Sequence, residues 1–228
     1  MAEASTWPDF MRSDESEFWH KESPNFHFVT VPAGKTYAEV GPPPEGDALT
    51  ALDKYSRIAR DKDAALADRQ LALRLVIHIV EDLHQPLHCG NGTDRGGNQV
   101  TVTFMDVPTN LHSVWDERMI DAELLSHSEW AEWLGRRITP ALAREWMAAG
   151  PLDWVAESVA LRDTLYPADA GLSYPYVYRH KRDLDRRLQQ GGVRLANYLN
   201  TLFAGDGKAS VGRRPRNAQP ALGARPPA

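Results

Sequence analysis

The chain has 228 residues, 42% hydrophobic and 25% charged, with a formal net charge of −5. That composition belongs to a globular chain and excludes a fibrous or low-complexity one. The single cysteine, Cys89, excludes an intrachain disulfide. No apolar run is long enough for a transmembrane helix. The opening residues Met1 to Trp7 have neither a basic n-region nor an apolar h-region, so the sequence as written shows no secretory signal.

In chain order, residues 1–46 are rich in Pro, Gly and aromatics with little periodicity. They read as mostly loop, with a short extended piece at Phe26–Val31. Residues 47–61 read as a short helix. Residues 65–88 place Leu71, Leu75, Ile79 and Leu73, Ile77, Val80 at helical spacing, which predicts a central buried helix. Pro86 ends or kinks it, because proline lacks the backbone donor. Gly90 to Asn98 is a glycine-rich turn. Gln99–Phe104 alternates and is β-branched, so it predicts a strand, with Phe26–Val31 as a candidate partner. Thr109 or Asn110 is placed to cap a following helix. Further helices are expected at about 128–148, 152–165 and 179–203. From about Asp206 the sequence is Gly, Pro, Ala and Arg, and disorder is expected. This gives one mainly helical domain over 1–205 and a basic tail over 206–228. From Gly205 on, five cations face one anion, so the tail is +4 and the body −9.

Chemistry concentrates in the histidines. His78 and Asp82 stand four apart on the central helix and so share a face. His88 follows just past the proline. His112 and Asp116 form a second pair with the same spacing. Imidazole nitrogens and carboxylate oxygens are the usual ligands of catalytic zinc. A body of −9 is a poor general binder of polyanions, so a phosphate ester bound there needs positive charge beyond Lys and Arg. A metal cluster is one source of it.

His78-Ile-Val-Glu-Asp82-Leu-His-Gln-Pro-Leu-His88 followed by Gly96-Gly97-Asn98 and Asn110-Leu-His112-Ser-Val-Trp-Asp116 resembles the zinc-dependent single-strand nuclease/3′-nucleotidase family. Ser5-Thr-Trp-Pro-Asp9, Phe26-His27-Phe28 and Trp154-Val-Ala-Glu157-Ser158 resemble further elements of it. The resemblance implies a mainly α, single-domain fold like that of zinc-dependent phospholipase C, with a small β-hairpin or ribbon near the active site. It implies that Asp9, His27, His78 and Asp82 hold one zinc and that His88, His112 and Asp116 hold a second. Two zinc ions are thus expected from this chain. A third, bridged by the counterpart of Asp82, belongs to the full-length family site, whose N-terminal tryptophan and nearby histidine have no match here. Arg12 is implied as the phosphate contact, Phe28 as the aromatic that stacks on a base, and Asn98 as a further substrate contact. The catalytic pair is Asp82 and Arg12. The implied reaction is hydrolysis of phosphodiester bonds in single-stranded DNA or RNA and of 3′-nucleotides, giving 5′-phosphates. Zinc lowers the pKa of bound water to about 7 and so provides the nucleophile. Single strands are implied because a base must stack in a pocket. The resemblance carries a secreted or periplasmic location and implies no membrane span and no obligate protein partner.

Two other readings share the ligands: a phospholipase C-like phosphodiesterase and a zinc-binding remnant without activity. Thr30 stands where better-known members have an aspartate, and Glu81 where they have a glycine. Of the remaining histidines, His84 is off the ligand face and reads as a surface group or a neighbour of the ligands. His20 competes weakly with His27, and His127 and His180 read as surface residues. Asp94 either orients a ligand histidine or caps its turn. Trp19, Trp115, Trp130, Trp133 and Trp146 read as mostly core.

Overall fold

The computed structural model describes residues 1–204. The tail for which disorder is expected lies outside the described residues. The chain starts in helix α1 (Ala2–Phe10), which corrects the loop expected for residues 1–46. Pro8 inside it removes one backbone donor, but tertiary packing outweighs that loss. Trp7 meets Trp19 edge to face at 5.3 Å and lies under the Arg74 guanidinium at 4.5 Å. Short helical turns at Phe18–Glu22 and Ser23–His27 lead into strand β1 (Val29–Thr30).

Helix α2 (Tyr37–Val40) is a single turn. Helix α3 (Ala48–Arg60) is started by Asp47, whose carboxylate accepts from the Thr50 amide at 2.9 Å while the Thr50 hydroxyl accepts from the Asp47 amide. Helix α4 (Leu66–Asp82) is the expected central helix, with Leu75, Val76, Ile77, Ile79 and Val80 all buried. It ends at Asp82, four residues before the proline. Pro86–His88 then forms a tight helical turn running into strand β2 (Cys89–Gly90).

The expected strand is present as β3 (Thr101–Phe104), but its partner is not Phe26–Val31. It pairs antiparallel with β4 (Val107–Asn110) and parallel with β5 (Gly171–Leu172). The reason is local. Met105 and Asp106 both take positive φ, 48° and 66°, the conformation of the two-residue turns whose twist suits a hairpin. Closing that short loop costs less chain entropy than a distant pairing. β1 pairs in parallel with β2 instead. Asn110 ends β4 and caps the one-turn helix α5 (Leu111–Ser113), its side-chain oxygen accepting from the Ser113 amide at 2.9 Å. A wider helical turn, Val114–Arg118, and helix α6 (Met119–Asp121) follow.

The single helix expected at 128–148 is two, α7 (His127–Gly135) and α8 (Pro140–Met147), broken where Thr139 caps and Pro140 begins the second. Helix α9 (Pro151–Arg162) and the long α10 (Tyr174–Phe203), which begins five residues earlier than expected, complete the fold. The helices bury one apolar cluster around α3 and α4, with Trp19, Phe26, Trp154 and Leu195. A second cluster, with Leu87, Phe104, Trp115 and Leu184, lies under the hairpin. The fold is mainly α with a small β-ribbon, as expected. The ribbon leads directly into the segment that carries His112 and Asp116.

Candidate active site

α4 presents His78 and Asp82 on one face at its C-terminal end. Asp82 Oδ2 lies 2.9 Å from His78 Nε2 and 3.1 Å from His27 Nδ1, at the end of the Ser23–His27 turn. Asp9, in the last turn of α1, brings its carboxylate within 3.7 Å of His27 Nδ1 and 3.8 Å of His78 Nε2. The ligating atoms of Asp9, His27 and His78 fall within 4.8 Å of one another. His88, His112 and Asp116 form a second such group. His88 Nε2 lies 3.3 Å and His112 Nε2 3.7 Å from the Asp116 carboxylate, and the two rings stack at 4.9 Å. Asp82 joins the groups, since its other oxygen is 3.2 Å from His88 Nδ1. All seven residues expected as metal ligands therefore meet in one place.

The donor set fits zinc. Three histidines donate Nδ1–H to backbone carbonyls: His78 to Ser5, His88 to His27 at 2.7 Å, and His112 to Gly96 at 2.8 Å. Each of these bonds fixes the tautomer and leaves the Nε2 lone pair for a metal. The Nε2 of His88, the atom turned toward Asp116, is buried and makes no hydrogen bond among the described residues, while His27 turns its Nδ1 to the first group. A buried polar atom without a partner is costly unless something not yet bound satisfies it.

The electrostatics of the metal-free cluster follow from its burial. Burial opposes charge on His78, but Asp82, with Asp9 and the Ser5 carbonyl, outweighs it and pushes His78 up to about 9. Burial opposes charge on His88 too, and Asp82 and Asp116 raise it well above the usual imidazole range. Asp82 stays well below the carboxylate range despite burial, held by His78, His88 and His27. Burial and the neighbouring His88 charge lower His112. A histidine raised by its partners stabilises the fold fully below its unfolded pKa of about 6.5, and that contribution is lost as pH rises through the folded value. The Tm of the chelator-treated chain is therefore expected to fall between pH 6.5 and 9. Zinc flattens the fall, because its ligands are already deprotonated. A Tm of the chelated protein independent of pH over that interval would contradict the pairing.

The two groups lie against a cleft of about 570 Å³ whose lining includes Arg12, Phe28, Thr30, Arg95 and Asn98. Arg12 pairs with Asp9 at 3.0 Å. Phe28 is 44% exposed, so it is not a core residue. Asn98 donates its side-chain amide to the Arg95 carbonyl at 2.9 Å.

The loop from Gly90 to Asn98 is pinned by Asp94, which accepts from the Gly97 amide at 2.9 Å and the Tyr166 hydroxyl at 2.6 Å. Asp94 thus caps its turn and makes no bond to a ligand histidine. Gly96 takes φ +61°, and a Cβ there would sit 2.3 Å from the Leu87 carbonyl oxygen, so only glycine lets this loop lie on the His88 segment.

Several residues that matter are not singled out by motif. Arg95, at φ 55° just before Gly96, lines the cleft; a lone cation in a glycine turn is its only sequence signal. Arg187 and Arg194, on α10, are buried. Arg187 donates to the carbonyls of Leu83 and His84, just beyond Asp82, to Ser158 Oγ at 2.6 Å and to Glu157 at 2.7 Å. Arg194 grips both oxygens of Glu157. This gives Glu157 and Ser158 their place, bracing the end of α4. Arg162, fully buried, ties the residue after β1 to β2 by donating to the Val31 and Cys89 carbonyls at 2.8 and 2.6 Å. His84 is buried, pushed down to about 3 by burial and Arg187, and accepts from Arg194. His180 corrects the surface reading: it is 4% exposed, packed on Trp115 and Tyr176.

A model of the S1/P1 nuclease family matches residues 1–204. Nuclease P1 of Penicillium citrinum is 26% identical, the match covering 90% of this chain and 86% of that protein. Nuclease S1 of Aspergillus oryzae is 25% identical over 89% of this chain and 79% of its own length. Endonuclease 4 of Arabidopsis thaliana is 32% identical over 58% of this chain, a match that spans only half of the plant protein. With its two histidine–carboxylate groups meeting at one cleft and the family match running through the whole described chain, this protein belongs to the S1/P1 nuclease family and is a hydrolase of the nuclease type.

Proposed function

We infer that the chain uses zinc to hydrolyse phosphodiester bonds in single-stranded DNA or RNA, and the phosphate ester of 3′-nucleotides, leaving 5′-phosphates. The observation that supports this most is the bridging of two ligand groups by Asp82 at a cleft that also holds Arg12 and an exposed Phe28. Asp9, His27, His78 and Asp82 hold one zinc; His88, His112 and Asp116 hold another. Zinc bound there supplies Lewis acidity, lowering the pKa of water and offsetting the charge of a phosphate ester. Arg12, oriented by its pair with Asp9, neutralises non-bridging phosphate oxygens. Phe28 stacks on an unpaired base, which a duplex does not offer. Asn98 braces the loop through the Arg95 carbonyl and contacts substrate from that side. The catalytic unit in this reading is residues 1–205, and its place of action is outside the cytoplasm, secreted or periplasmic. Among the described residues, no helix is long and apolar enough to cross a membrane.

The test is release of acid-soluble nucleotides from heat-denatured DNA by the zinc-loaded chain, with and without a chelator. Chelator-sensitive release with 5′-phosphate ends is expected. No release, or faster turnover of phosphatidylcholine than of DNA, would overturn the assignment. In the same assay Arg12→Ala lowers kcat and Phe28→Ala mainly raises KM, by about tenfold for one lost base stack.

A further inference from the structure

The first half of α10 carries an outward stripe of aromatic and cationic side chains. Tyr176, His180, Leu184 and Arg187 face inward. Tyr174 and Tyr178, on the other side, are 79% and 89% exposed, the most exposed aromatic side chains among the described residues. They stand four apart, so they share a face about 6 Å from each other along the axis. Arg182 and Arg186 continue the line at the same spacing, and Arg179 flanks it; all three are exposed. Of the acids of this segment, one is turned inward. Asp185 is buried and pairs with Lys181 and Arg137, while Asp183, 3.8 Å from His180, stays half-exposed. No carboxylate among the described residues forms an ion pair with Arg179, Arg182 or Arg186.

A solvated helix face usually alternates cations with acids. Here a body of net −9 gathers three arginines and two bare tyrosines along one side of a helix, and the one half-exposed acid beside them, Asp183, forms an ion pair with none of the three. Guanidinium groups suit phosphate, and tyrosine rings suit a base with an open face. A duplex offers the phosphates but hides the base faces, so the tyrosines select for unpaired strands.

We propose that this stripe is a docking track for single-stranded nucleic acid, distinct from the cleft, in which Tyr174 and Tyr178 stack on bases and Arg179, Arg182 and Arg186 contact the backbone. The identity of the occupant rests on the nuclease reading; the chemistry of the track does not. The inner face of the same helix packs on Trp115, next to Asp116, so a strand on the track is held against the element that backs the second ligand group. Long substrates gain affinity from the track, and dinucleotides, too short to occupy both places, do not.

The test uses the full chain. With metal removed, the cleft presents the bare carboxylates of Asp9, Asp82 and Asp116, and binding of a labelled oligothymidylate of about 30 nucleotides reports chiefly on the track. Fluorescence anisotropy is expected to show Y174A/Y178A at least tenfold weaker than wild type, with Y174F/Y178F retaining most of the affinity. R179A/R182A/R186A is expected to lose about 2 from the slope of log K against log salt, about 0.7 per phosphate contact. Loaded with zinc, all three variants hydrolyse a dinucleotide at the wild-type rate, while Y174A/Y178A cleaves long single strands at least fivefold more slowly below saturation. Tyrosine-independent binding in a chain that cleaves single strands sinks the track and spares the nuclease reading. Tyrosine-dependent binding in a zinc-loaded chain that cleaves nothing does the reverse.

Discussion

Asp82→Ala is expected to cut hydrolysis by on the order of a thousandfold and to lower zinc content at both ligand groups, not one. Asp82 touches His78, His27 and His88 with its two oxygens, so its loss uncouples the groups. Replacing a partner one layer out from a metal typically costs 10–100-fold. A side chain in the ligand set itself removes several kcal/mol of transition-state stabilisation, hence the larger figure. The metal-free variant suffers separately. His78 and His88 are buried, and the anion that raises both is gone, which costs roughly 3–5 kcal/mol of stability. Metal analysis and thermal unfolding, each with and without chelator, separate the two effects. Asp82→Asn keeps the shape without the charge and should share both defects. Wild-type activity in either variant would remove Asp82 from the reaction.

Gly96→Ala tests the second ligand group without touching a ligand. The new methyl would lie 2.3 Å from the Leu87 carbonyl oxygen, and the obstacle is backbone, which cannot swing aside. The left-handed φ of +61° adds about 1–2 kcal/mol for any residue with a Cβ. Relief requires the loop to lift, and the Gly96 carbonyl that holds His112 Nδ1 lifts with it. A misplacement of about 1 Å in a catalytic group costs on the order of a hundredfold. That loss in kcat, together with loss of zinc from the His88, His112 and Asp116 group, is the expected result. Gly34→Ala is the control. It has nearly the same φ, +74°, and nothing within 4 Å of the new Cβ. It should show the backbone cost in Tm and leave hydrolysis unchanged. Equal activity in the two variants would mean that the loop does not position His112.

What the sequence made legible was the part governed by local rules. The i, i+4 spacing on a continuous apolar helix put His78 and Asp82 together. Asn110 before Leu111 marked a cap, and the β-branched run marked β3. What stayed hidden depends on partners far away in the chain. Nothing near Ala2–Phe10 announces a helix, because α1 is held by α4 through Trp7 and Arg74. β3 was recognisable, but its neighbours were not: the Met105-Asp106 turn lacks the Asn-Gly signature, and β5 lies almost seventy positions later. The bracing arginines were invisible for a related reason. Arg on a helix usually means a solvated face, and burial of Arg187 and Arg194 is established only by the Glu157 and carbonyl acceptors that α9 and α4 bring to them.

The clamp from α10 also has a bearing on when this protein becomes an enzyme. The carbonyls of Leu83 and His84 receive Arg187 from more than one hundred residues downstream. A ribosome making the chain from the N-terminus therefore synthesises all seven ligand residues, Asp9 to Asp116, well before α10. Until α10 emerges and docks, the end of α4 lacks its donors, and the ligand cage lacks its backing. Completion of the site thus waits on a segment translated after every one of its ligand residues.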